Sequence, residues 1–105
     1  MSYRVKVFPQ AEQELFEIFD YTLVEYGAST LERYDRRLEE VRERLRTTPM
    51  AARLIRARSS NHSALRAIEL RAFLVIYRID ETEKVVEILT VRYTRQDLRK
   101  LLESL

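Results

Sequence analysis

The stretch that decides the fold is Leu65–Tyr93, LRAIELRAFLVIYRIDETEKVVEILTVRY. Apolar and β-branched residues fill three runs, Leu65 to Leu70, Phe73 to Ile79 and Lys84 to Tyr93, broken only by Arg71-Ala72 and by Asp80 to Glu83. Such runs predict three strands, and connections this short make them antiparallel hairpins. Phe73, Val75, Tyr77 and Ile79 line one side of the middle run, yet Leu74 and Ile76 opposite are as apolar. The last run sets Val85, Leu89 and Val91 against Val86 and Ile88. Both faces of the sheet therefore need cover, from helices on one side and from the last helix, a loop or another chain on the other. A partner protein is expected to supply much of the second cover.

Upstream, Ser2 to Phe8 alternates Tyr3, Val5, Val7 with Arg4, Lys6, Phe8, which predicts another strand. Pro9 suits the first turn of a helix, where its missing N–H costs nothing, and Glu12 and Glu14 favour the positive end of the dipole. Ala11, Leu15, Ile18, Phe19, Thr22 and Tyr26 recur at helical spacing up to Gly27, the one glycine and a natural stop. Ser29 and Glu32 form a capping-box pattern ahead of a second stripe, Leu31, Tyr34, Leu38, Val41 and Leu45, which Thr47, Thr48 and Pro49 end. Its other faces mix both charges, as a solvated helix does. Met50 to Ser63 is expected to be an irregular, mobile loop. Thr94 and Asp97 resemble a further cap, for a last helix through Leu98, Leu101 and Leu102. The order is β-α-α-β-β-β(-α), an α+β domain with a small antiparallel-rich sheet and a helical hairpin on one face. At 105 residues it is one domain, 1–105.

Composition removes several chemistries. With no cysteine and a single histidine, His62 in the polar run SSNHS, the chain cannot build a disulfide, a thiolate site, a His-pair zinc site or a Ser-His-Asp triad. His62 reads as an exposed loop residue, and no metal or cofactor is expected. A net charge of +2 means that any nucleic-acid reading rests on local clusters of cations. The start, MSYRVKVF, lacks the apolar core of a signal peptide, and no segment approaches the ~20 apolar residues that span a bilayer. A soluble cytoplasmic protein with no membrane partner is expected.

FPQAEQELFEIFDYTLVEYG (8–27), Pro49 after the second helix, and then LRAIEL, FLVIYRID and VVEILTVRYTRQDL follow one another in an order that resembles the RelE/ParE superfamily of type II toxin-antitoxin toxins, closer to its ParE branch. The resemblance spans nearly the whole chain. It implies a toxin neutralised by a ParD-like antitoxin in a hetero-oligomer, with any DNA contact made only through that antitoxin. ParE-like members are described as DNA gyrase inhibitors, and RelE-like members as ribosome-dependent mRNA endoribonucleases. Fold kinship does not choose between these targets.

Residue chemistry leans toward binding. Metal-free RNA cleavage needs proton transfer as well as cations around the phosphate. RelE-like nucleases supply lysines, arginines and a C-terminal aromatic or histidine, whereas residues 95–103 here hold no tyrosine or histidine, and the lysines are only Lys6, Lys84 and Lys100. Arginine suits charge stabilisation better than proton transfer. Tyr93 stands where related toxins often have a histidine, and its bland reading is an amphipathic ring closing the sheet edge. Pro9 replaces a small polar residue, and the glycine common after the second-helix proline is absent from Met50-Ala51-Ala52. Were the chain a nuclease, Arg66, Tyr93 and Arg95 would carry the chemistry; an inactive, antitoxin-binding relative is the other alternative.

Arg66 and Arg78 match family arginines on the strands. Either each snorkels or pairs with an acid such as Glu69 or Glu87, or each meets an acidic antitoxin segment or the target. Arg95 in a first helical turn works against the dipole by roughly 0.3–1 kcal/mol, so local stability does not explain it or its neighbour Arg92. The expected target- or antitoxin-binding set is Arg66, Leu74, Ile76, Arg78, Arg92 and Arg95, with Arg53, Arg56 and Arg58 as a secondary basic loop.

Overall fold

The computed structural model describes residues 2–94, 102, 103 and 105. Among them the elements are β1 (Arg4–Val7), α1 (Pro9–Tyr26), α2 (Ala28–Thr47), a 3-10 turn (Pro49–Ala51), β2 (Arg53–Arg56), β3 (Leu65–Leu70), β4 (Phe73–Asp80) and β5 (Val85–Tyr93). The sheet order is β1-β5-β4-β3-β2, with β1 parallel to β5 and every other pair antiparallel. The predicted last helix falls mostly on residues outside the described set.

The helical hairpin turns on one residue. Gly27 has φ +89°, a conformation that strains L side chains; its N–H donates to the Leu23 carbonyl and its own carbonyl accepts from Leu31 N. So tight a turn starts α2 at Ala28, without a side-chain cap, and places Ser29 inside the helix rather than at its cap. Ala11 of α1 and Leu38, Val41 and Leu45 of α2 are buried against Ile68, Leu70, Val75, Tyr77, Val86, Ile88 and Val91; Thr22 of α1 is also buried, its hydroxyl donating to the Ile18 carbonyl at 2.7 Å. Tyr3, Val5 and Val7 join this core while Phe8 packs on the other side of the sheet, as the alternation predicts. Tyr26, which the helical stripe places among the buried positions, is 64 % exposed.

The opposite face of the sheet is also buried. Leu65, Ala67, Leu74, Ile76 and Leu89 form a second cluster, with Phe8, Ile55, Leu102 and Leu105 packed against it. Part of the cover expected from a partner therefore comes from this chain's own C-terminal residues.

Two local features depart from expectation. Arg53–Arg56 is an edge strand paired to β3, not irregular loop; its register slips between Leu54 and Arg56, so RLIR shows no alternation. In β5 the register passes from Ile76↔Thr90 to Tyr77↔Ile88, leaving Leu89 as an extra residue. This bulge sends Leu89 to the second cluster and Val91 to the helix side with Val86 and Ile88, so strict alternation groups them wrongly.

Candidate binding cleft

A cleft of about 760 Å³ opens at the end of the sheet where β3 begins and β4 ends. One wall is the 58–64 loop with Arg58 and His62; the other holds Arg66, Arg78, Asp80 and Glu87. Arg66 stands on the helix side of the sheet. Its Nη1 donates to the carbonyls of Met50, at 3.0 Å, and Ala52, at 2.8 Å. It thereby fixes the 3-10 turn over β3, which neither of its two sequence readings contained.

Arg78 approaches from the opposite side. Its Nε donates to Glu87 Oε1 at 2.7 Å, and its guanidinium lies 5.5 Å from the centre of the Phe8 ring. Paired in β-sheet register, Arg78 and Glu87 realise the structural reading of that arginine. Arg56 is likewise engaged: Nε and Nη2 donate to Ser63 O and Nη1 to Leu102 O, tying the loop to the C-terminal residues. Arg58 is exposed at the rim.

Tyr77 is fully buried at a separate cavity that Arg44 and Arg53 line, and its hydroxyl donates to Pro49 O. Burial pushes the phenol up to about 12, with Arg66 and Arg44 pulling the other way. It sits there as a neutral anchor for the turn after α2.

The other expected site residues are elsewhere. Arg53 lines that separate cavity, of about 250 Å³, with Arg37 and Arg44. Leu74 and Ile76 are 5 % and 0 % exposed, so a partner reaches them only where the residues over them give way. Tyr93 ends an aromatic ladder, Phe19–Tyr34–Phe73–Tyr93, with its ring centre 5.6 Å from that of Phe73. It is not among the cleft's lining residues. Arg95 lies outside the described residues.

Arg92 has a local partner that sequence spacing hides. Among the described residues no strand neighbours the outer edge of β5 past the end of β1, and Glu14 of α1 fills the gap. Its Oε1 accepts from Val91 N at 2.9 Å and from Thr90 Oγ1 at 2.8 Å, and Oε2 lies 3.7 Å from Arg92 Nη2. Arg92 Nε also donates to Thr90 Oγ1. Arg92 thus belongs to an edge cap linking α1 to β5. His62 is the cleft residue that sequence reading set aside; the signal was its position between Arg58 and Arg66.

Solved toxin-antitoxin structures share this architecture. The chromosomal ParDE system from P. aeruginosa has a chain matching at TM-score 0.63 and 19% identity over 87% of this chain and 95% of that one. A chain of the archaeal RelE-RelB complex from Pyrococcus horikoshii OT3 matches at 0.64 and 23% over 92% and 100%. The isolated E. coli RelE toxin matches at 0.53 and 18% over 97% and 94%. These define a RelE/ParE-like α+β fold. Residues 5–98 match the family model for the ParE toxin of the type II toxin-antitoxin system parDE, and the chain belongs to that family. No curated protein gives a significant match.

Proposed function

We propose that this ParE-family toxin acts by binding DNA gyrase in the cytoplasm and is held inactive by a ParD-like antitoxin. The similar solved chains come from toxin-antitoxin systems, which supports an antitoxin partner. The observation that carries the binding mechanism is the state of the cleft cations. Arg66 is fixed on two carbonyls and Arg78 on Glu87, which makes them rigid charged groups without a proton to give or take. Tyr93, the aromatic in the nuclease reading, lies in the Phe73 ladder. The described helices include none long and apolar enough to cross a membrane.

In this reading Arg58 and the outer edge of Arg78 contact an acidic part of the target, and the antitoxin covers the same end of the sheet. The test immobilises purified gyrase and measures toxin binding with and without antitoxin. Binding that antitoxin abolishes, and that Arg58→Glu weakens about tenfold, is expected, a loss in the range of a well-placed interface charge. Absence of binding overturns the proposal.

One observation favours a second reading, a metal-independent endoribonuclease. His62 shares the cleft with three arginines, a pairing of a proton-transfer group with phosphate-binding cations. His62→Ala separates the two: a nuclease loses orders of magnitude in cleavage rate, whereas gyrase binding changes little.

A further inference from the structure

Of the eight large hydrophobic side chains left exposed among the described residues, five lie on α1. Phe16 is 68 % exposed, Val24 72 %, Tyr26 64 %, Tyr21 58 % and Leu23 45 %. Phe16, Leu23 and Val24 stand at i, i+7 and i+8, one stripe on the side turned away from Ala11 and Thr22. Tyr21 and Tyr26, at i and i+5, lie outside this stripe and meet each other with ring centres 6.2 Å apart. Phe16, Leu23 and Val24 alone expose on the order of 300 Å² of mostly apolar surface, a size at which patches on monomers are often functional.

The charge of α1 is one-sided. It carries Glu12, Glu14, Glu17, Asp20 and Glu25 and no basic residue, in a chain whose net charge is +2. Glu14 is spent on the β5 edge. Among the described residues, Glu12, Glu17, Asp20 and Glu25 have no cation within ion-pair distance; Glu17 accepts only from Gln13. Helix α2 differs, pairing Arg37 with Glu40, Arg42 with Glu39 and Arg46 with Glu43 along its own surface. An apolar stripe flanked by uncompensated carboxylates is complementary to a helix with an apolar stripe flanked by lysine or arginine.

We propose that the outer face of α1, centred on Phe16, Asp20 and Val24, docks a basic amphipathic helix of a partner protein. A second α1 would face these carboxylates with its own, so charge disfavours symmetric self-pairing through this helix. None of the residues lining the cleft belongs to α1, so the two surfaces share no side chain.

The test uses two synthetic helical peptides with the same leucine stripe, one flanked by lysines and one by glutamates. Each is titrated by fluorescence anisotropy against the full chain and against Phe16→Ser/Val24→Ser and Glu17→Lys/Asp20→Lys. All four positions are exposed, and circular dichroism confirms that the variants fold. The lysine peptide is expected to bind at least about tenfold more tightly than the glutamate peptide, to weaken about tenfold in each double variant, and to lose affinity as salt rises. Equal binding of both peptides, or lysine-peptide binding that the variants leave unchanged, overturns the proposal. So does a concentration-dependent dimer that Phe16→Ser/Val24→Ser abolishes, which gives the face to a second copy.

Discussion

Removing the Glu14 carboxylate tests how α1 is held to the sheet. Glu14→Ala deletes the acceptor for Val91 N and Thr90 Oγ1, two hydrogen bonds to a charged group whose side chain is 21 % exposed. Charge-assisted hydrogen bonds contribute about 1.5–3 kcal/mol each when sheltered, and water reaching the emptied edge recovers part of that. The net expectation is a loss of about 2–3 kcal/mol. The ion pair to Arg92, at 3.7 Å and with both partners partly exposed, adds little to this figure. Arg92→Ala therefore costs less than about 1 kcal/mol, and Glu14→Gln, which keeps an acceptor oxygen, about 1 kcal/mol. Urea denaturation reads the difference as a shift in midpoint at constant slope, about 1–2 M for Glu14→Ala. A loss below about 0.5 kcal/mol for Glu14→Ala, or equal losses for Glu14→Ala and Arg92→Ala, refutes the edge cap.

Other outcomes follow from the same geometry. Because the Tyr77 phenol is raised to about 12, the unfolded chain loses this proton near pH 10 while the folded chain keeps it. Its contribution is thus full below pH 10 and lost as pH rises toward 12, about 3 kcal/mol for two units; Tyr77→Phe flattens that part of the alkaline stability curve, and an unchanged curve contradicts the assignment. Arg66→Ala removes the donor to Met50 and Ala52 and is expected to cost about 1–3 kcal/mol in urea denaturation. Arg71 holds φ +56° in the β3–β4 turn, so Arg71→Gly relieves roughly 1 kcal/mol of strain and loses part of it with the contact to the Tyr34 ring. A rise of a degree or more in Tm is the expected result, and a fall argues that the ring contact dominates.

The three C-terminal strands were legible because both sides of β4 are apolar and its connections are two and four residues long, leaving little choice of pairing. The helices were legible from their stripes. What escaped were places where local rules yield to tertiary ones. Leu89 and Val91 look like neighbours on one face until the bulge separates them. Ser29 looks like a cap until Gly27 closes the hairpin in one residue. RLIR looks like loop because its slipped register against β3 hides the edge strand.

The site was less legible than the fold, for a related reason. Sequence spacing brings Arg92 and Arg95 together and sets Arg58 apart from Arg78, whereas the sheet places Arg58, Arg66 and Arg78 around one cleft. The partner of Arg92 is 78 positions away, at Glu14. Even the exposed stripe on α1 was half visible: Phe16, Leu23 and Val24 fall outside the buried helical periodicity, and only the fold shows that the described chain leaves them uncovered.

The central claim, a toxin that works by binding, is tested most directly by adding the purified protein to a gyrase supercoiling reaction and, in parallel, to a ribosome-programmed mRNA. The account predicts that supercoiling stops, that the antitoxin restores it, and that the message stays intact. Cut message with supercoiling untouched would contradict it.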